Sequence, residues 1–372
     1  MMRLVPLLLL APAIVDAQTF DLTRTESYDD RRGYGFETSV PTAFSIRAAE
    51  GNYRVTVEFA DAASARSARI LAETRRLMIE PDSGPENATR SFIVNIRNRS
   101  LPPLPENAPG GTQVRLNPRE LETFTWDDRL TLDFTGARPR SVTIERANVP
   151  TVYLAGDSTV TDQQAAPSAS WGQMLPRFFK PDVAIANHAE SGETLKSFMT
   201  GLRLDKILST LQPGDWLLIQ FGHNDQKAQW PQTYAEAATT YRDYLRAYIG
   251  EARRRGATPI LITSPERRRF DDGGHIVNSH GDYPEAVRAV AREESVAVID
   301  LWSASKQFYE SLGPQRAPRA FADEGRDLTH HSDYGAYELA RRVVEGMRAA
   351  DARLTGHLAE QLETDGSPRA RG

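Results

Sequence analysis

The sequence predicts two unlike halves, an all-β antiparallel sandwich followed by an α/β unit with a parallel sheet flanked by helices. Three observations carry this reading. Up to about Asn148 the chain alternates apolar and polar residues at period two, so that each strand has one buried and one wet face. After Pro150, strongly apolar runs alternate with amphipathic helical stretches, the pattern of a parallel sheet with crossover helices. At 372 residues the chain also exceeds the usual size of one domain.

The elements follow in order. Arg3, the apolar run 4–14 and Val15-Asp16-Ala17 read as an export signal over residues 1–17, with cleavage after Ala17. That run is too short for a permanent membrane span, and no later segment is long enough for one. The expected destination of the mature protein is therefore secreted or periplasmic. Residues 18–148 form the sandwich, with strands such as 52–59, 91–96 and 129–134 separated by Glu50-Gly51-Asn52 and by the Pro- and Gly-rich loop 101–111. No helical stretch of comparable strength stands out there. The α/β unit covers 149–355, with strands expected at 151–155, 183–187, 216–221, 259–263 and 296–301. Helices are expected at 202–211, 234–255, 283–294 and 334–347. Residues 356–372 are read as a tail that is disordered in part.

Composition narrows the partners. A formal net charge of −5 leaves no basic excess for nucleic acid phosphates, and the runs Arg253-Arg254-Arg255 and Arg267-Arg268-Arg269 read as solvated faces among nearby acids. There is no cysteine, hence no disulfide and no thiolate nucleophile. The histidines His188, His223, His275, His280, His330 and His331 fit no recognised zinc spacing, so no metal and no cofactor are expected.

The chemistry concentrates at predicted strand ends, where open α/β sheets bind ligands. Ser158 follows the first parallel strand in Gly156-Asp157-Ser158. Ser191-Gly192 follows the second, and Gly222-His223-Asn224-Asp225 the third. A serine hydroxyl needs a base to take its proton and a third group to fix that base. Asp327 and His330, three residues apart, can supply both, with His331 the rival base. An ester carbonyl under attack develops an oxyanion, for which the backbone N–H groups of Ser158 and Gly192 and the Asn224 amide are suitable uncharged donors. Each residue has a plainer reading: Gly192 as a turn glycine, Asn224 with Asp225 as a helix cap, Asp327 as an N-cap and His330 as a surface histidine. Their conjunction in a fixed order favours the chemical one.

The order Ser, Asp, His, with the last two nearly adjacent, departs from the Gly-x-Ser-x-Gly elbow. It resembles the SGNH, or GDSL-type, hydrolase superfamily, with Ser158, Gly192, Asn224 and His330 as the four named residues. The segments 154–160, Trp171-Gly172-Gln173-Met174, 220–225 and 327–330 further resemble the rhamnogalacturonan acetylesterase branch. The resemblance runs from about Thr151 to Ala350. It implies a flavodoxin-like parallel sheet and metal-free removal of acetyl groups from pectic polysaccharide. The β-rich half is similar to the galactose-binding-like sandwich of some bacterial members. Trp171 and His223 then become candidates to stack on a sugar and to hydrogen-bond a hydroxyl, beside their structural readings as a packed aromatic and a satisfied histidine. The expected partner is an acetylated plant cell-wall polysaccharide. An acetylxylan or other glycan esterase, a lipase or thioesterase of the superfamily, and a carbohydrate-binding protein with an inert hydrolase half are the alternatives.

Overall fold

The computed structural model describes residues 17–82 and 84–359, so the predicted export signal lies outside the described residues except for Ala17. The first half holds β1 (Gln18–Asp21), β2 (Tyr34–Phe36), β3 (Ala43–Arg47), β4 (Gly51–Glu58), β5 (Arg69–Ala72), β6 (Arg76–Ile79), β7 (Thr89–Ile96), β8 (Arg129–Thr135) and β9 (Ser141–Arg146). They form two antiparallel sheets, of order β1-β9-β4-β7 and β2-β3-β8-β5-β6. Alternate residues such as Val55, Val57, Leu130 and Leu132 point between the sheets into a shared core. One short helix that the alternation did not announce, α1 (Ala62–Ser67), is started by Asp61, whose side chain accepts the Ser64 N–H at 2.7 Å.

The second half is a five-stranded parallel sheet of order β11-β10-β12-β13-β14, formed by β10 (Thr151–Gly156), β11 (Ala184–Asn187), β12 (Trp216–Gln220), β13 (Thr258–Ile262) and β14 (Ala297–Ile299). Both faces are buried, which is why these strands read as continuous apolar runs. Period two persists beneath that apolarity. Val152, Leu154, Trp216 and Leu218 face one core, and Tyr153, Ala155, Leu217 and Ile219 face the other. Crossing helices cover the sheet: α2 (Trp171–Met174), α3 (Leu195–Thr200), α4 (Arg203–Thr210), α5 (Thr240–Arg254), α6 (Tyr283–Glu293), α7 (Leu301–Arg316), α8 (Asp333–Ala350) and α9 (Ala352–Gly356). Among the described residues, no helix is long and apolar enough to cross a membrane.

Several boundaries differ from the sequence reading for local reasons. β14 is shorter than expected because Asp300 caps α7, its carboxylate accepting the Ser303 N–H and Oγ–H, so the chain turns helical at Leu301. α5 starts at Thr240 rather than 234, since 234–236 are irregular and 237–239 form a turn, with the Ala235 carbonyl taken by the Tyr283 hydroxyl at 2.6 Å. Residues 356–359, assigned to the tail, are anchored instead: Leu358 is buried, Lys180 N–H bonds the His357 carbonyl, and Ala359 N–H bonds that of Phe178.

The two halves share a polar and an apolar junction. Leu71 and Leu77 join the core on one face of the parallel sheet. Beside them, Arg76 Nε meets Asp162 Oδ2 at 2.6 Å with both side chains at most 4% exposed. Lys206 pairs with Glu50 at 2.6 Å, Arg203 with Glu120, and Arg69 and Arg75 share Asp333. Removing one partner of a buried pair strands the other charge, at about 3 to 5 kcal/mol. Asp162→Asn is therefore expected to lower unfolding stability by about that amount in urea titrations, whereas Asp323→Asn, in the exposed pair with Arg326, leaves the midpoint unchanged.

Candidate active site

Because β10 lies between β11 and β12 in the sheet, the loops leaving their carboxyl ends are neighbours, and these loops carry Ser158, Gly192 and Asn224. Ser158 sits in a tight turn in which Val160 and Thr161 N–H both bond the Asp157 carbonyl at 3.0 Å. Asp157 is fully buried, and its Oδ1 accepts the N–H and hydroxyl of Thr159, each at 2.9 Å. Burial pushes its carboxyl above the usual range, against those hydrogen bonds.

Ser158 Oγ lies 3.0 Å from His330 Nε2, and His330 Nδ1 lies 2.7 Å from Asp327 Oδ2. A carboxylate only accepts, so Nδ1 carries the proton and Nε2 is free to accept the serine hydroxyl proton. Asp327 Oδ1 also accepts the N–H groups of Thr329 at 2.6 Å and His330 at 2.9 Å. Partial burial opposes ionisation, but the hydrogen bonds from His330 and Thr329 prevail and hold Asp327 well below the usual carboxylate range. Of the two adjacent histidines, His330 is the one within hydrogen-bond reach of Ser158. His331 is fully buried, with Nε2 on the Tyr309 hydroxyl at 2.7 Å, and its ring packs against Phe321.

Gly192 has φ +84°, a left-handed conformation that disfavours any side chain, while a Cβ there would meet nothing within 4 Å. Conformation, then, is what demands glycine at this point of the fold. Asn224 Nδ2 donates to the Glu193 carbonyl at 3.0 Å, and its Oδ1 accepts from Lys227 Nζ at 2.8 Å. The amide is thereby oriented, with one of its two N–H bonds still uncommitted. Asp225 caps no following helix. Its Oδ1 accepts the Leu195 N–H at the start of α3, and its Oδ2 the Gly222 N–H, both at 2.9 Å, which ties the Gly192 and Asn224 loops together.

Two sugar contacts expected from sequence need correction. Trp171 is 0% exposed and its Nε1 donates to Gln220 Oε1 at 2.7 Å, so no sugar can stack on it; Gln220 Nε2 in turn reaches Thr159 Oγ1 beneath the serine turn. His223 is also buried, packed edge-on against His280 at 4.4 Å between ring centroids, and neither ring nitrogen has a hydrogen-bond partner among the described residues. Burial holds it well below the usual histidine range, in its neutral form. Arg267 likewise leaves the solvated face assigned to it, and its guanidinium bonds the carbonyls of His223 and Ser279. The sequence also gave no sign of Arg119, which reaches from the sandwich half to Glu190 and to the Ser191 carbonyl, directly before Gly192. Burial, reinforced by Glu120 and opposed by Arg119, raises the Glu190 carboxyl above the usual range.

The model of the GDSL-like lipase/acylhydrolase family matches residues 154–337. The chain is 40% identical over 223 residues to rhamnogalacturonan acetylesterase RhgT of Bacillus subtilis, spanning 56% of this chain and 94% of that protein. The chain belongs to the GDSL-like lipase/acylhydrolase family. This GDSL-like protein is a carboxylic ester hydrolase. It is also 39% identical over 229 residues to the rhamnogalacturonan acetylesterase of Emericella nidulans, covering 56% of this chain and 89% of the fungal one. The crystal structure of Bacillus subtilis YxiM superposes on the GDSL-like chain with a TM-score of 0.52 at 23% identity, over 87% of this chain and 92% of that one, so the likeness of fold extends into the antiparallel half.

Two expectations follow. Arg119→Ala releases the Ser191 carbonyl and should lower kcat on 4-nitrophenyl acetate about tenfold, since small misplacements of positioning groups are costly. Burial, opposed chiefly by the Leu195 N–H, pushes Asp225 up to about 7, against 3.8 for an ordinary carboxyl. The folded state therefore binds more protons than the unfolded one between those values, and stability declines as pH rises through that window. Urea titrations across it should show that decline in the wild type and a shallower one in Asp225→Asn.

Proposed function

We propose that this protein is an exported glycan acetylesterase that removes acetyl groups from rhamnogalacturonan through an acetyl-enzyme. The observation that carries the reading is the unbroken chain from Ser158 Oγ through His330 to Asp327. As Ser158 Oγ bonds to the acetyl carbonyl carbon, its proton passes to His330 Nε2, and Asp327 holds the resulting imidazolium. The carbonyl oxygen becomes an oxyanion, for which the N–H groups of Ser158 and Gly192 and the uncommitted Asn224 N–H are the donors. Collapse breaks the bond to the sugar oxygen, which leaves with the proton from Nε2. Water, deprotonated by His330, then attacks the acetyl-serine, and acetate departs as Ser158 regains its proton.

Acetyl as the acyl group and rhamnogalacturonan as its carrier are supported by the named activities of the Bacillus and Emericella relatives. Export is supported by the charged, apolar and small-residue pattern of residues 1–17. Residues 18–148 serve as a brace for the catalytic unit 149–355, a role supported by the buried pairs at the junction.

Ser158→Ala is expected to reduce 4-nitrophenyl acetate hydrolysis by about 10⁴-fold or more, with His330→Ala of similar size and the double variant little worse. Acetate release measured on acetylated rhamnogalacturonan, homogalacturonan and xylan should be fastest on the first; equal or faster release from xylan would overturn the choice of substrate.

A further inference from the structure

Folded proteins rarely leave large apolar side chains grouped at the surface without a reason. Among the described residues the exposed large hydrophobic side chains are few, and Trp230 is their sole aromatic, at 41% exposed. It lies on the loop that carries Asn224. Leu328, 38% exposed, lies between Asp327 and His330 in sequence. An exposed apolar residue therefore stands on each of two loops that carry residues of the candidate site.

Trp230 is connected to the chemistry through one residue. Lys227 Nζ lies 3.9 Å from the centre of the Trp230 ring and 2.8 Å from Asn224 Oδ1. The ammonium thus makes a cation–π contact on one side and a charge-assisted hydrogen bond on the other. The bond to Oδ1 fixes which end of the amide is oxygen. With Oδ1 committed to Lys227, the NH₂ faces the Glu193 carbonyl, and one N–H is left free. A flipped amide would present oxygen to a developing oxyanion, so this orientation matters to rate.

An indole suits a pyranose, whose axial C–H groups form an apolar face ringed by hydroxyls. We propose that Trp230 is a subsite for a sugar ring of the substrate glycan and that Lys227 is a positioning residue that holds the Asn224 amide in its donating orientation. The sugar as ligand rests on the glycan-esterase reading above. Binding and amide orientation then share one side chain, so occupation of the subsite bears directly on the oxyanion donor.

Kinetics on acetylated rhamnogalacturonan and on 4-nitrophenyl acetate test both roles. For Trp230→Ala the KM for the polymer should rise about tenfold more than the KM for the small ester; equal shifts on the two substrates would overturn the subsite. For Lys227→Met, kcat should fall about tenfold on both substrates with KM little changed, and Lys227→Arg should recover most of it. Wild-type kcat in Lys227→Met, or no recovery with arginine, would overturn the positioning role. A binding readout separates the subsite from the proposed activity. In the Ser158→Ala background, indole fluorescence titrated with deacetylated rhamnogalacturonan oligosaccharide should change saturably and lose that change in Trp230→Phe; no saturable change would overturn the subsite. A wild type that released no acetate from any glycan would overturn the glycan-esterase reading, leaving the subsite to be decided by this titration.

Discussion

The pair between Arg76 and Asp162 is the contact on which the rest of the molecule leans. Arg76 belongs to the antiparallel half, where its Nη1 also bonds the Asn95 carbonyl, and Asp162 belongs to the loop that carries Ser158. Asp162 Oδ1 accepts from Asn187 Nδ2 at 2.8 Å, and the same nitrogen donates to the Val160 carbonyl at 2.7 Å. One buried charge pair thus connects β6, the end of β11 and the turn that carries Ser158. A buried pair is a poor source of net stability but strongly disfavours arrangements that leave either charge alone. Here that penalty selects a single docking of the halves, and with it a single position for the serine loop.

Around that fixed point the site is built from loops locked to one another rather than from separate side chains. Asp225 joins the loops after β11 and β12, Asn224 bonds the Glu193 carbonyl, and Thr161 Oγ1 bonds the Ala189 carbonyl at 2.8 Å. The dipoles are in place before any substrate arrives, so little reorganisation remains for the transition state. Burying carboxylates such as Asp157 and Asp225 beneath these loops is unfavourable for their charged forms, and the backbone N–H groups aimed at them offset part of that cost.

Legibility in the sequence followed the range of the interactions. Strands β10, β11, β12 and β13 could be read within a residue or so, because two-sided burial imposes apolar runs. Asp327 and His330 could be paired because a short turn dictates their spacing, and Ser158 could be named from its place after a strand, although it meets His330 across 172 residues. Trp171 stays open in sequence because a motif tryptophan reads the same in a mouth or in a core; its indole N–H pairs with Gln220, 49 residues along the chain. Arg119 gave no local sign, since its partners lie 71 and 72 residues away. Trp230 likewise stands in no periodic pattern, and its meaning depends on which surface it joins.

The reach of Arg119 into the Ser191 loop also constrains how this architecture can change over time. A catalytic unit that met its companion only through apolar surface could trade it for another fold and keep its chemistry. Here a guanidinium from the first half secures the carbonyl beside Gly192 and pairs with Glu190, so a change at Arg119 alone leaves a largely buried carboxyl without its partner. The sandwich in that sense contributes to the setting of the loop that carries Gly192 rather than riding beside it.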